Sequence, residues 1–205
     1  MKVLLLRHGM TAGNASRRYI GCTDEPLSPQ GIAAARAMGT NPSLPLVYVT
    51  PLLRTQQTAH ILFPNAEQYV VEDLREMNFG IFEGKSADEL SCDQAYQDWV
   101  AGNCMGRCPA GESVGEFADR VQAAFKRTVT SHSISASDTA VFIVHGGTIM
   151  AVMQKFARPV REFYDSSVKN CHGFLCAASF QPEDKHLPFV LTNVTEVDRA
   201  ERITG

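Results

Sequence analysis

The stretch KVLLLRHGMTAGN, residues 2–14, joins a short apolar run to an arginine and a histidine without an intervening turn residue. Four consecutive apolar residues from Val3 to Leu6 are typical of a strand that is covered on both faces, as in a parallel or mixed sheet. Arg7 and His8 follow at the carboxyl end of this strand, which is the edge where open α/β sheets bind their ligands. We therefore expect a ligand site at Arg7 and His8, with the glycines after them forming a tight loop.

The rest of the chain alternates short apolar runs with amphipathic stretches. The predicted strands are PLVYVT (45–50), QYVVE (68–72), TAVFIVH (139–145), GFLCAASFQ (173–181) and PFVLTNV (188–194). The predicted helices are LSPQGIAAARAMG (27–39), PLLRTQQTAHILF (51–63), SVGEFADRVQAAFKRTV (113–129) and GGTIMAVMQKF (146–156). This alternation predicts an α/β fold, a three-layer sandwich with a mostly parallel central sheet flanked by helices.

Residues at the helix starts support these assignments. Ser28 is a good N-cap, with Pro29 at the first helical position. Pro51 suits the same first position in the next helix. Ser113 and Glu116 have the spacing of a capping box at the start of the long third helix.

Length and composition favour one globular domain over residues 1–205. Between residues 76 and 112 the pattern loosens, and we expect a lid or specificity insertion there. A net charge of −3 argues against a nucleic-acid partner, which would require a basic excess. No stretch approaches the ~18 apolar residues of a membrane span, so no membrane partner is expected.

The six cysteines are scattered without paired spacing, and the N-terminal residues lack the pattern of a signal peptide. We therefore expect reduced thiols and a cytoplasmic location. Cys104 and Cys108 could form half of a zinc site, but no second pair of ligands lies nearby in the sequence. No metal is expected.

The stretch TAVFIVHGGT, residues 139–148, repeats the pattern of the opening segment. His145 ends an apolar strand just before a helix N-terminus, whose free N–H groups favour an anion. Arg54 lies in the first turn of another helix, where a cation opposes the helix dipole unless an anion is bound between them. With Arg7 and His8, these residues predict a phosphate pocket.

Two histidines in a phosphate pocket point to phosphoryl transfer. One of them could attack phosphorus while its other ring nitrogen donates to a backbone carbonyl, and the other could stabilise the equatorial oxygens. The leaving alkoxide needs a proton, and LREMNFGIFEG (74–84) offers Glu76 and Glu83 as the acid. A phosphate dianion nearby would raise the pKa of either carboxyl group.

Five motifs occur in the order and approximate spacing of the histidine phosphatase superfamily, whose fold is that of phosphoglycerate mutase. They are RHGMTAGN (7–14), TPLLRTQQTA (50–59), LREMNFGIFEG (74–84), PAGES (109–113) and VHGG (144–147). The resemblance covers residues 2 to about 160. It implies that His8 is the phosphorylated nucleophile, that Arg7, Arg54 and His145 hold the phosphate, and that Glu76 is the proton donor.

We also expect five further residues to contact the substrate: Thr11, Asn14, Arg18, Glu83 and Gly146. Among them, Asn14 matches a phosphate-contacting position of the family, and Glu83 ranks second to Glu76 as the acid. Met10 is a departure, because many members have Glu or Gln after the RHG motif. Its effect is expected on specificity more than on the chemistry.

The resemblance implies a metal-independent phosphomonoesterase that hydrolyses a small phosphorylated metabolite without a cofactor. YIGCTDEPLSPQG (19–31) and HGGTI (145–149) are most similar to the alpha-ribazole phosphatase branch, which makes alpha-ribazole 5′-phosphate a candidate substrate. A phosphoglycerate mutase is the alternative, although mutases of this family carry a longer insertion between the acid and the second histidine. A non-catalytic module that binds a phosphorylated ligand is a further alternative, and a homodimer remains open.

Overall fold

The computed structural model describes residues 1–131, 139–181 and 183–198. Within these residues one sheet contains six strands: β1 (Lys2–Arg7), β2 (Leu46–Val49), β3 (Glu67–Val70), β4 (Thr139–Val144), β5 (Gly173–Phe180) and β6 (Phe189–Val197). Their order across the sheet is β3-β2-β4-β1-β5-β6. The first four strands pair in parallel, and β5 runs antiparallel to both β1 and β6. The prediction of a mostly parallel sheet is confirmed.

Helices cover both faces of this sheet. In chain order they are α1 (Ala12–Ala15), α2 (Pro29–Ala37), α3 (Leu53–Leu62), α4 (Ala87–Leu90), α5 (Gln94–Ala101), α6 (Val114–Val129) and α7 (Gly146–Phe156). Leu4 and Leu6 of β1 belong to the core cluster that includes α2 and α3 residues, whereas Val3 and Leu5 belong to the cluster with α6 and α7. This alternation confirms the three-layer arrangement, and it explains why β1 is apolar at every position from Val3 to Leu6.

The predicted helix starts are confirmed at α2 and α6. The Ser28 hydroxyl accepts a hydrogen bond from the Gly31 N–H, with Pro29 at the first helical position. Ser113 and Glu116 form the expected capping box at the start of α6.

The prediction for Pro51 is wrong, because α3 begins two residues later, at Leu53. A pair of threonines closes the turn that precedes it. The Thr55 hydroxyl accepts from the Thr50 N–H and donates to the Leu52 carbonyl. Pro51 therefore lies in a side-chain-bonded turn between β2 and α3.

Short elements fill the segments that lead to the carboxyl edge of the sheet. The expected tight loop after β1 contains α1, a single helical turn. Residues 76–112 contain α4, α5 and the 3₁₀ turn Gly80–Phe82, and another 3₁₀ turn, Phe163–Ser166, follows α7. In the described part of the chain, no helix combines the length and apolar character needed to cross a membrane.

Candidate active site

His8 and His145 lie side by side because β1 and β4 end at the same level. The register pairs Arg7 with Val144, and the next residue on each strand is a histidine. The His8 N–H donates to the Val144 carbonyl, and the two imidazole rings meet edge to face with centroids 5.1 Å apart. The parallel pairing of β1 and β4 thus places the two histidines next to each other as a buried pair.

His8 is held with one ring nitrogen protonated and the other free. Its Nδ1 lies 2.6 Å from the Gly9 carbonyl oxygen, which can only accept, so Nδ1 carries the proton. Burial lowers the pKa of His8 well below its usual value, and the charges of Arg54 and Arg7 lower it further, against the opposing Gly9 hydrogen bond. A neutral imidazole with a lone pair on Nε2 is the form that attacks phosphorus.

His145 is fixed in the opposite tautomer. Arg54 Nε donates to His145 Nδ1 over 3.3 Å, and an arginine can only donate, so Nδ1 carries the lone pair. The proton then lies on Nε2, which donates to the Thr50 hydroxyl over 3.0 Å. Burial and the nearby Arg54 charge lower the pKa of His145 well below its usual value. A hydrogen bond from His145 to phosphate would require one of these contacts to be exchanged.

Arg54 is completely buried against the loop that follows α1. Its guanidinium donates to the carbonyl oxygens of Gly21 and Thr23 over 2.8 Å each, in addition to His145. The positive charge of Arg54 therefore lies beside His8 and His145, as predicted from the sequence. Its position depends on the conformation of the 20–23 loop.

Glu83 holds that loop in place. Its two carboxylate oxygens accept backbone N–H bonds from residues 21–23 and from Phe79, and a hydroxyl bond from Thr23. These donors give Glu83 a role in loop structure beneath Arg54. Its contact with the substrate stays a prediction.

Arg7 presents an unpaired donor at the edge of the site. Its NH1 group donates to the Val168 carbonyl over 2.8 Å. Its Nε atom is buried and has no hydrogen-bond partner among the described residues. Gly146 lies against it, since a Cβ built there would be 3.5 Å from the guanidinium carbon. An anion bound beside the N-terminus of α7 would satisfy this donor.

Glu76 lies over the N-terminus of α7. One carboxyl oxygen accepts from the Met77 N–H and the other from the Gly147 N–H, each over 3.0 Å. A Cβ at Gly147 would lie 2.3 Å from the nearer oxygen, so this close approach requires glycine. Burial raises the pKa of Glu76, and the two N–H groups and the charges of Arg54 and Arg7 oppose that rise. Burial is thus a cause of the raised pKa that the sequence did not indicate.

Asn14 is oriented by two donors. Its side-chain oxygen accepts from the Thr11 N–H and from the Asn170 amide, each over 3.3 Å. With the oxygen engaged, the Asn14 amide nitrogen is left to donate. Thr11 is fully buried and caps α1 through its hydroxyl, so its predicted contact with the substrate stays a prediction.

Asn170 is a site residue that sequence reasoning missed. Its amide also donates to the His8 carbonyl over 3.0 Å. The segment that carries it runs beside the end of β1, where the Cys171 N–H donates to the Arg7 carbonyl. No sequence motif surrounds Asn170, and its position depends on the return of the chain into β5.

Two clefts open from the region of Arg7. An apolar cavity of about 300 Å³ extends past Glu76 and the N-terminus of α7. Its apolar and aromatic walls come from Tyr19, Met77, Phe79, Trp99, Cys104, Val114, Phe117, Met150, Phe163 and Tyr164.

The second opening, of about 600 Å³, is a basic cleft. Its polar lining includes Arg7, Asn14, Arg17, Arg18, Lys169 and Asn170. Arg18, a predicted substrate contact, donates to the Gly84 carbonyl and pairs with Glu89 over 2.8 Å in an exposed ion pair. The positive charge around Asn14 favours the approach of an anion.

The cysteines of the 102–112 loop show no metal-binding arrangement. Among the residues that the structure describes, no group of three or more His, Cys, Asp or Glu side chains could hold a metal ion. Burial raises the pKa of the Cys108 thiol to about 11, with a smaller effect from Cys104. All six cysteines are free thiols.

Comparison with known proteins gives a family match over most of the chain. Residues 3–187 match the model of the histidine phosphatase superfamily, branch 1. A relative from Escherichia coli O1:K1, "Probable phosphoglycerate mutase GpmB", is 36% identical over 135 residues. That alignment covers 62% of this chain and 62% of the relative, so the chain spans less than two thirds of the relative's length.

Two solved structures share the fold over nearly the whole chain. One, from Escherichia coli K-12, is assigned as an alpha-ribazole-5′-P phosphatase; it has a TM-score of 0.81 at 20% identity and covers 97% of each chain. The other is the alpha-ribazole phosphatase from Shigella flexneri, with a TM-score of 0.77 at 22% identity over 97% of this chain and 98% of that chain. At this level of identity the likeness establishes the fold.

Proposed function

The chain belongs to branch 1 of the histidine phosphatase superfamily, and from this premise we propose that it hydrolyses phosphomonoesters through a phosphohistidine at His8. The observation that carries the proposal is the tautomer of His8. Its Nδ1 proton is engaged by the Gly9 carbonyl, so the Nε2 lone pair is available as a nucleophile at neutral pH.

In the first step, the Nε2 lone pair of His8 forms a bond to phosphorus while the ester P–O bond breaks. The electron pair of that bond leaves with the alcohol oxygen, which takes the proton of the Glu76 carboxyl group. Burial supports this role because it raises the pKa of Glu76 and so favours the protonated acid.

Fixed positive charge stabilises the transferring phosphoryl group. Arg7 offers its unpaired Nε donor, and Gly146 begins a helix whose N-terminal N–H groups favour an anion. Arg54 adds a buried charge beside both histidines. Such preorganised groups act on the transition state without reorganising during the reaction.

In the second step, water attacks the phosphohistidine and the N–P bond breaks. The electron pair of that bond returns to His8 Nε2, and Glu76, now a carboxylate, accepts the proton from the water. Inorganic phosphate then leaves, and the protonated acid and the neutral histidine are restored for the next turnover.

The test of this proposal is to trap the intermediate. Enzyme denatured during turnover of a ³²P-labelled phosphomonoester should carry a phosphoryl group that is labile in acid and stable in base, as expected of a phosphoramidate. His8→Ala should abolish both the label and turnover. His60→Ala, an exposed histidine on α3, is the control and should retain both. Label on serine or cysteine, or full activity of His8→Ala, would overturn the proposal.

A phosphoglycerate mutase is the second candidate, because the 36% identical relatives carry that name. A mutase returns the phosphoryl group to the substrate, whereas a phosphatase gives it to water. We expect release of inorganic phosphate from phosphomonoesters, with little interconversion of 2- and 3-phosphoglycerate. Rapid interconversion without phosphate release would establish the mutase, and tight binding of a phosphomonoester without either reaction would establish a non-catalytic module.

Alpha-ribazole 5′-phosphate is the candidate substrate that we propose to test first. The similarity of residues 19–31 to that branch supports it, together with the shared fold. Turnover should be compared with that of 3-phosphoglycerate, sugar phosphates and nucleotides. The cytoplasm is the proposed location, in keeping with the free thiols of all six cysteines.

A further inference from the structure

We propose that the apolar cavity binds the leaving group and selects phosphomonoesters of uncharged alcohols that carry an apolar group, preferably an aromatic ring. This inference rests on the proposed function, because it takes Glu76 as the acid. The alcohol oxygen must lie beside the group that protonates it. Of the two clefts that open from the region of Arg7, the apolar cavity is the one that Glu76 lines, so the alcohol extends into it.

The walls of the cavity disfavour a charged alcohol. Arg7 and Glu76 supply the charged side chains that line it within the described residues, and both lie at its phosphate end. Farther in, the walls come from side chains such as Phe79, Trp99 and Met150. A carboxylate placed among them would lose hydration without gaining a cation as its partner, which is unfavourable.

The aromatic walls suit a flat ring. Trp99 contacts Tyr19 edge to face at 5.7 Å between ring centroids, and Phe79 at 6.5 Å. An aromatic leaving group would extend this cluster with the same edge-to-face or offset geometry. A volume of about 300 Å³ matches the small end of ligand pockets, which is sufficient for one or two rings.

The cavity combines side chains from several separate segments, including Tyr19 after α1 and Phe117 of α6. Phe79 and Trp99 come from residues 76–112, Met150 comes from α7, and Phe163 comes from the 3₁₀ turn after it. The phosphate end is formed by Arg7, Glu76 and the N-terminus of α7, whereas the preference for the alcohol depends on the wall residues. Substitutions in the walls should therefore change the ratio of kcat/KM between alcohols of different chemistry.

Trp99 provides a direct measure of occupancy, because it is the single tryptophan of the chain. Benzyl alcohol should change its fluorescence in a saturable way, whereas glycerate should not. His8→Ala should keep this response, since His8 does not line the cavity. The measurement requires no turnover, and so it tests the cavity independently of the reaction.

Turnover of two matched esters tests selectivity. Benzyl phosphate and 4-carboxybenzyl phosphate present the same reacting oxygen and differ in one distant carboxylate. We expect kcat/KM to be at least ~10-fold higher for benzyl phosphate. Met150→Lys, which places a cation in the wall, should reduce or invert this ratio. Met105→Lys makes the same substitution at an exposed methionine outside the cavity lining and should leave the ratio unchanged.

The possible results separate the two proposals. Equal kcat/KM for both esters, together with no saturable response of Trp99, would overturn the leaving-group subsite while leaving the phosphatase proposal intact. A saturable response to benzyl alcohol without turnover of any phosphomonoester would support an apolar binding site and overturn the proposed function. If Met150→Lys does not fold, as judged by circular dichroism, the wild-type ratio and the fluorescence titration still decide the matter.

Discussion

Arg54 donates from Nε to Nδ1 of His145, and this single hydrogen bond fixes the proton of that imidazole on Nε2. The same buried charge lowers the pKa of His8, which lies edge to face with His145. Burial and this one cation together favour the neutral form of both imidazoles. For His8 this is the nucleophilic form, so Arg54 acts on the nucleophile as well as on the phosphate.

The first prediction concerns the acidic limb of the pH profile. His8 reacts when neutral, and its pKa lies well below the usual 6.5, so kcat/KM should persist as pH falls through 6.5. Arg54→Met removes the charge and should raise the pKa of His8, which moves the acidic limb to higher pH. The absolute kcat/KM should also fall by ~10²-fold or more. The measurement is phosphate release against pH, with one substrate for both enzymes.

Arg36→Met is the matched control, because Arg36 is exposed on α2. Its profile should coincide with that of the wild type. Because ionisation of the substrate is common to all three enzymes, a difference between the profiles reports on the protein. An Arg54→Met profile that is lower but unshifted would show that Arg54 does not control the protonation of His8.

The second prediction separates Glu76 from Glu83 by the leaving group. An alkyl alcohol needs a proton as it departs, whereas a nitrophenolate leaves readily without one, and general acid catalysis contributes ~10²–10⁴-fold. Glu76→Gln should therefore slow phosphohistidine formation severely with an alkyl phosphate and much less with p-nitrophenyl phosphate. Single-turnover rates of the first step are the required measurement, because Glu76 also serves the second step.

Glu83→Gln should lower both rates by a similar factor, because Glu83 holds the 21–23 loop beneath Arg54. It should also lower the melting temperature, since an amide replaces a carboxylate that accepts several N–H bonds. If Glu83→Gln, and not Glu76→Gln, slows the reaction of the alkyl phosphate much more than that of p-nitrophenyl phosphate, then Glu83 is the acid and the assignment is wrong.

Much of the fold follows from the sequence because its strands and helix starts carry strong local signals. β1 and β4 are apolar at nearly every position, since each is covered on both faces. The site follows too, because parallel strands present their carboxyl ends at one edge. His8 and His145 could therefore be placed together before their register was known.

Contacts between distant segments could not be predicted. Asn170 contacts His8 and Asn14 because it lies just before β5, which pairs antiparallel with β1. No local sequence pattern near Asn170 indicates that pairing. The hydrogen bond between Thr50 and His145 similarly depends on β2 lying next to β4. The hydrogen bonds of Glu83 could not be predicted either, because most of its N–H donors lie in the 21–23 loop, far from it in sequence.

The last prediction assigns Asn170 as a positioning residue that acts through Asn14. Asn170→Ala removes one of the two donors that hold the Asn14 oxygen, so the Asn14 side chain should keep its donating orientation for less of the time. We expect kcat/KM to fall by ~10- to 100-fold, the loss typical of a misplaced site group. Asn65→Ala, at an exposed asparagine, is the control and should have no effect on kcat/KM.

A double-mutant cycle with Asn14→Ala distinguishes positioning from a general structural role. If Asn170 acts through Asn14, its removal should have little further effect on kcat/KM once Asn14 is alanine, so the two losses should not add. A purely structural role would lower the melting temperature of both Asn170→Ala proteins and would multiply the two losses in kcat/KM. Multiplied losses would therefore contradict the assignment. A small further loss in the double mutant, relative to Asn14→Ala alone, would measure the second contact of Asn170, to the His8 carbonyl.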